Sequence, residues 1–378
     1  MVNVEKYYSR AFELYKTLHE NAEVGFDLPE TVKIVKKELD ACKIKYTEKY
    51  GKGSIVAEIG SGEKIIALRA DMDALPIEEQ SGVPFTSKNK GVMHACGHDS
   101  HTAILLAVAR YLKENEDRLR VKVRLIFQPS EECAISGAKM LVDNGVMDGV
   151  DQIICTHCEN EIDFGQIGVC VGNYMAACVP LKIIFYGKSS HAALPKHGID
   201  AIAMTNDAYI ELKKYVKENF ADEDYIWSVG RFSGGTAHNV ICDKCEMDIS
   251  FRFFDVERSK IVENGVKNIC EDIAKRYGGK TEVMWEMSTG PVINDSKIID
   301  RIRNIANKNS IKINEVKKRM SSEDFGWYLQ KSKGAIFRYG TKNDEYGCNT
   351  VAHTSNFKIY PEGMKTAITL FCDYVLSL

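Results

Sequence analysis

Lys64-Ile-Ile-Ala-Leu-Arg-Ala-Asp-Met-Asp-Ala-Leu-Pro76 carries a short apolar run into an Arg-Ala-Asp-Met-Asp sequence and ends at proline. A run this short and this apolar reads as a buried strand, and two acids, Asp71 and Asp73, leave its carboxyl end. The pattern recurs on either side. Ser54–Ile59, Val121–Phe127, Gln152–Cys155 and Ala335–Tyr339 read as strands, with helices at Thr102–Glu114 and Ser136–Asn144. Residues 5–18 and 28–41 place apolar side chains at three-to-four spacing and read as amphipathic helices. Such alternation predicts an α/β fold, a mostly parallel sheet with helices on both faces.

Between residues 180 and 288 the order changes. Leu181–Tyr186, Trp227–Phe232, Glu246–Phe253 and Lys280–Trp285 read as strands, with long helices at Ile199–Asn219 and Val256–Tyr277. Strand, helix, strand, strand, helix, strand describes a small sheet with both helices on one face, a ferredoxin-like α+β unit able to fold by itself. The expected division is 1–179 with 289–378 as one domain and 180–288 as an insertion, with Pro180 and Gly290-Pro291 near its borders. Length agrees, since 378 residues exceed the roughly 250–300 at which a single core stops growing.

Composition excludes several classes. With 44% apolar and 27% charged residues the chain is neither disordered nor fibrous. A net charge of −3, with Lys and Arg scattered, gives no expectation of a nucleic-acid partner. No stretch reaches the roughly 18 apolar residues of a membrane span, and no secretory pattern opens at Met1, so no membrane partner and a cytoplasmic location are expected. The 12 cysteines sit largely in apolar runs, which suits reduced, buried thiols.

Metal-competent side chains gather at the expected carboxyl edge of the sheet. Met93-His-Ala-Cys-Gly-His-Asp-Ser-His101 precedes a helix, Gln128-Pro-Ser-Glu-Glu132 follows one strand, and Thr156-His157 follows another. Each has a bland reading: Cys96 as a small buried hydrophobe, His157 as a hydrogen-bonded core histidine, Glu131-Glu132 as a solvated turn, Asp71 and Asp73 as caps. Their joint occurrence at one edge favours a site. Cys96, His98, Glu132, His157 and the distant His353 are too many for one catalytic zinc, which takes about three protein ligands. They suit two ions about 3.5–4 Å apart, and the neighbouring Glu131 is then left as a general base. Two weaker patterns compete: His19-Glu-Asn-Ala-Glu23, half of a zincin motif without its second histidine, and Cys155-x-x-Cys158 with Cys242-x-x-Cys245 as a structural zinc site.

Leu18-His-Glu-Asn-Ala-Glu-Val-Gly25, the Asp71 and Cys96 strings, Gln-Pro-Ser-Glu-Glu132, Gly187-Lys-Ser-Ser-His-Ala-Ala193, Gly234-Gly-Thr-Ala-His-Asn-Val-Ile241 and Ala352-His-Thr-Ser-Asn-Phe357 together run nearly end to end. With them the sequence resembles the co-catalytic metallopeptidase superfamily of aminoacylases and carboxypeptidase G. Within it, the resemblance is to the amidohydrolase branch of N-acyl-amino-acid amidohydrolases, hippurate hydrolases and indoleacetyl-amino-acid hydrolases. The resemblance implies Cys96 as the ligand shared by two divalent transition-metal ions, manganese, zinc or nickel, with His98, Glu132, His157 and His353 completing the site. It implies Glu131 as the base and Asp73 as a carboxylate orienting a ligand. His191, Asn239 and Arg252 would hold the substrate, and the insertion would be a lid through which two copies dimerise. The implied activity is hydrolysis of N-acetyl or N-aroyl amino acids; a dipeptidase or carboxypeptidase, or a non-catalytic metal-binding protein, are the alternatives. Cys133-Ala-Ile-Ser136, Cys158-Glu-Asn-Glu161, Lys196 and Ala201 depart from the branch pattern and bear on the substrate pocket.

Overall fold

The structure, a computed structural model, describes residues 3–378; Met1 and Val2, which begin the expected segment 1–179, lie outside the described residues. In chain order the strands are β1 (Tyr46–Thr47), β2 (Ile55–Ile59), β3 (Ile65–Asp71), β4 (Lys122–Gln128), β5 (Val150–Asp163), β6 (Gln166–Val169), β7 (Gly172–Met175), β8 (Ala177–Tyr186), β9 (Ile226–Gly234), β10 (Lys244–Phe253), β11 (Lys280–Met284), β12 (Val292–Asn294), β13 (Lys312–Glu315) and β14 (Lys333–Lys342). The helices are α1 (Val4–Glu20), α2 (Pro29–Ala41), α3 (His98–Glu114), α4 (Gly137–Asp143), α5 (Ala201–Asn219), α6 (Val256–Tyr277), α7 (Ser296–Lys308), α8 (Gly326–Leu329) and α9 (Met364–Leu376). They form two compact units. One holds the chain up to Tyr174 with Val292–Lys318 and Asp324–Leu378; the other holds Met175–Pro291 and Arg319–Glu323.

The first unit is built on an eight-stranded sheet in the order β1-β2-β4-β3-β5-β14-β6-β13. β4, β3, β5 and β14 run parallel at its centre, β13 runs parallel to β6, and β1–β2, β2–β4 and β14–β6 are antiparallel. Every residue from Ile66 to Asp71 and from Val123 to Gln128 is buried, so both faces of the central strands are covered, as unbroken apolar runs require. One core joins Leu68, Leu105, Val108, Phe127, Phe337 and Phe371 from the sheet and from α3 and α9.

Two elements extend beyond their apolar signals. α3 begins at His98 rather than Thr102, because its polar first turn is fully buried and finds partners in other elements. Ser100 Oγ lies 2.6 Å from Tyr339 Oη, and His101 Nδ1 lies 2.6 Å from Asp71 Oδ1. β5 continues past Cys155 to Asp163, so His157 stands in mid-strand and not beyond a strand end. Its polar residues look like a loop by hydropathy, yet β14 pairs with them, placing Arg338 opposite His157 and Gly340 opposite Glu159. The sequence-based expectations include no element for Ser296–Lys308 or for Met364–Leu376, which form α7 and α9, although the buried Ile298, Ile299, Ile302 and Ile305 of α7 stand at helical spacing. α9 is apolar nearly all round, where strand and helix periods cannot be told apart.

In the second unit the sheet order is β11-β8-β10-β9, with all neighbours antiparallel. Burial alternates along β10, so Cys245, Met247, Ile249, Phe251 and Phe253 meet α5 and α6 over a separate core while their neighbours do not. Residues 319–323 join this unit through a Met175–Arg319 bridge and a 3.0 Å bond from Ala176 N to Ser321 O. Among the described residues, no helix is long and apolar enough to cross a membrane.

Candidate metal centre

The carboxyl ends of β3 and β4 are locked by a buried charge cluster. Arg69 donates to Asp71 (2.6 Å), Asp324 (2.9 Å) and Gln128 Oε1 (2.8 Å), and Gln128 Nε2 donates to Asp324 at 2.8 Å. Asp324 also accepts from Ser136 Oγ and Ala138 N, which fixes the start of α4. Burial would raise the Asp71 pKa, but Arg69, His98 and His101 override it and hold the carboxyl well below its usual range. An arginine inside an apolar strand requires buried acids, a signal that calls for partners to Arg69 without identifying Asp324 among them.

On this frame Asp73 accepts the backbone amides of both Glu131 (3.0 Å) and Glu132 (3.1 Å), and its own carbonyl lies 2.9 Å from His98 Nδ1. Asp73 is therefore a cap, of a loop 58 residues away rather than of the turn that follows it. Gly97 takes φ +80° between Cys96 and His98, and a Cβ there would lie 2.5 Å from Cys158 Sγ, so glycine is required by both backbone and space.

Two groups of donor atoms result. Cys96, His98 and His157 bring their ligand atoms within 4.8 Å of one another, and so do Cys96, Glu132 and His353. Cys96 belongs to both, with its Sγ 3.3 Å from His157 Nε2. Glu131 lies with His98 and Glu132 in a third such group. His353 has its side chain 53% exposed, a φ of +64°, and a 2.8 Å bond from its amide to Ala95 O on the Cys96 loop.

The donors fit a metal pair. His98 Nδ1 and His157 Nδ1 face the carbonyl oxygens of Asp73 and Cys158, so each neutral ring keeps its proton on Nδ1 and presents a lone pair from Nε2. His98 Nε2 is buried without a hydrogen bond, and the buried Glu132 Oε1 has His353 Nε2 3.0 Å away as an ion-pair partner. Orphaned polar atoms cost roughly 1–3 kcal/mol each, which coordination would recover. Burial would lower the His98 pKa, yet Asp71, Asp73 and Glu132 push it up to about 10, the mark of a cavity that favours a cation. Burial, with Glu132, pushes the Cys96 thiol up, and a bound cation would draw off its proton.

Two further histidines near the site, His101 and His19, are engaged by other partners. His101 donates from Nδ1 to Asp71 and accepts the Cys158 amide at Nε2 (3.0 Å), which leaves neither nitrogen for a metal. His19 is held between Asp99 (2.6 Å) and Glu79 (2.9 Å); burial opposes its charge, but these acids push its pKa up to about 9. Glu23 accepts from the first amides of α2, so the half-zincin pattern is structural. The Cys158 thiol donates to Cys96 O and the Cys242 thiol to Lys244 O, and the two cysteine pairs fall in different units.

His191, Asn239 and Arg252 lie in the second unit. His191 bridges to Val240, and Ala192 N donates to Asn239 O, so the two exposed segments are paired. Arg252 Nη1 donates to Met320 O (2.9 Å) and Ser322 Oγ (3.0 Å).

The loop bearing Glu131 and Glu132 is closed by Ser130, at φ +55°, and by Gly137, where any Cβ would overlap the Pro129 carbonyl oxygen. Gly137→Ala is expected to destabilise the fold by about 1–3 kcal/mol and to weaken metal binding ~10-fold or more. Denaturant unfolding and metal titration measure both, and wild-type values in both would show the loop to be indifferent.

The model of peptidase family M20/M25/M40 matches residues 67–377. The chain is 36% identical over 346 residues to an N-acetyl-L-cysteine deacetylase of Bacillus subtilis (strain 168), covering 91% of this chain and 83% of that protein. It is 37% identical over 281 residues to an N-acyl-L-amino acid amidohydrolase of Geobacillus stearothermophilus, covering 73% of this chain and 76% of that one. Among solved structures it is similar to a dinuclear metal-binding peptidase of the M20 family from Bacillus subtilis, with a TM-score of 0.84 and 31% identity over 99% of this chain and 98% of the other. The chain belongs to peptidase family M20/M25/M40.

Proposed function

We propose that this protein is a metal-dependent amidohydrolase that cleaves the amide bond of N-acetyl or N-aroyl amino acids to a carboxylic acid and a free amino acid. The observation that carries this reading is the pair of donor groups sharing Cys96, with Glu131 beside them. The relatives named as a deacetylase and an amidohydrolase support the substrate class. Cys96 would bridge two divalent transition-metal ions, one completed by His98 and His157 and the other by Glu132 and His353. A thiolate among imidazoles suits manganese, zinc or nickel better than magnesium.

A metal pair held by these residues would supply a water activated at neutral pH and a Lewis acid for the scissile carbonyl. Glu131 takes the proton of the attacking water and returns it to the departing amine nitrogen. Asp73, by accepting both glutamate amides, fixes the loop from which Glu131 acts as base and Glu132 as ligand. His191, Asn239 and Arg252 bind the substrate carboxylate and the scissile carbonyl, a guanidinium fork being suited to carboxylate. The second unit, 180–288 in its essentials, serves as lid and dimerisation domain, and β9, at the end of its sheet order, offers a strand edge for a second copy. The 12 free cysteines suit a reducing cytoplasm.

The test is a panel of N-acetyl and N-aroyl amino acids and free-amine dipeptides, assayed on metal-stripped protein with manganese, zinc, nickel or cobalt restored. Metal-dependent release of free amino acid from the acylated substrates is expected. Turnover of dipeptides alone would replace this reading with a dipeptidase.

A further inference from the structure

Asn160 lies on β5, on the same strand as His157, and is buried. Its side chain makes three hydrogen bonds. Nδ2 donates to Thr350 O at 2.9 Å and to Lys358 O at 3.0 Å, while Oδ1 accepts from Thr341 Oγ1 at 2.7 Å. Thr350 and Lys358 flank the segment that presents His353. One amide thus grips both ends of that loop from the strand that carries His157. The His353 backbone is in the left-handed region, uncommon for a residue with a side chain although histidine is among those that adopt it more often. Within the loop Thr354 Oγ1 donates to Val351 O, Thr350 Oγ1 to Asn356 O and Phe357 N to Thr354 O, and from outside it Gln80 N donates to Ser355 O and Ala95 O accepts the His353 amide.

We infer that Asn160 is a positioning residue that sets the spacing between the two donor groups by tying the His157 strand to both ends of the His353 loop. The inference rests on the two-metal reading above. Asparagine is required by hydrogen-bond inventory, because two carbonyls must receive donors from a group that also accepts from a hydroxyl. Aspartate has the same shape but offers no donor, so both carbonyls would face a carboxylate. The His157 group keeps its ligands in that variant, whereas the His353 group loses its register, so one ion is weakened selectively.

The experiment is calorimetric titration of metal-stripped wild type, Asn160→Asp and Thr341→Val with manganese or zinc, with thermal melting of each metal-free protein as control. Wild type is expected to bind two ions. Asn160→Asp is expected to bind one with affinity within about threefold of wild type and the other at least ~10-fold more weakly. Thr341→Val leaves both amide donors in place but frees the amide to turn, and is expected to weaken the same ion by a smaller factor. Two ions bound at wild-type affinity in both variants would overturn the inference, whatever the melting temperature, as would equal weakening of both ions. The wild-type titration judges the two-metal reading separately: a single ion there overturns that reading and this inference with it, whereas two ions in wild type leave the variants to judge Asn160 alone.

Discussion

Glu131→Gln is expected to keep both metal ions and to lose about 10³-fold in kcat, with KM within a few-fold of wild type. The reasoning begins at the backbone. Asp73 accepts the Glu131 and Glu132 amides, so exchange of one side-chain oxygen for nitrogen leaves the loop, and Glu132 with it, in place. What is removed is a carboxylate able to take a proton from water and pass it to a leaving amine. An amide of the same shape cannot do this, and general acid–base transfer accounts for about 10²–10⁴ of rate. Steady-state kinetics with metal analysis on one preparation decides the matter. Full turnover in a protein that still holds both ions would remove Glu131 from the chemistry.

Cys96→Ala is expected to act on both ions together. Cys96 belongs to each donor group, so its loss leaves two protein ligands per ion where about three are the norm. Metal content should fall from about two ions per chain to below one. Loss of that electrostatic stabilisation, about 4 kcal/mol or more, corresponds to a rate loss of ~10³-fold or greater. His353→Ala, by contrast, touches one group and should release one ion. Equal stoichiometries for the two variants would mean that Cys96 is not shared. The fold should survive both changes, because neither Cys96 nor His353 belongs to the core held by residues such as Leu105, Phe127 and Phe337.

The parts of this structure legible in the sequence are those whose burial is apolar. β2, β3 and β4 can be read to within a few residues, since unbroken aliphatic runs report strands covered on both faces. α6 can be read from cap to cap, with Asp255 as its N-cap and Gly278 in the left-handed conformation beyond its end. The polar halves of β5 and α3 are illegible by the same logic. Their side chains are buried only because distant partners satisfy them, such as Tyr339 for Ser100 and Thr350 for Asn160, and no local pattern announces a partner far along the chain. The candidate metal-binding residues were legible as residue types, although His157 proves to stand within β5 and His98 at the start of α3. Of the residues that aim them, Asp71 was legible at the end of its strand, whereas the parts played by Arg69, His101, Asp324 and Asn160 became visible only with the hydrogen bonds they make.

The central claim is that two ions around Cys96 act together in amide hydrolysis. It is tested most directly by titrating metal-stripped protein with manganese while following, in the same sample, the ions bound and the free amino acid released from an N-acyl amino acid. Hydrolysis is expected to stay low while the first ion binds and to rise with occupancy of the second, reaching its maximum at about two ions per chain. Maximal hydrolysis at one bound ion, or none at two with every acylated substrate, would contradict it.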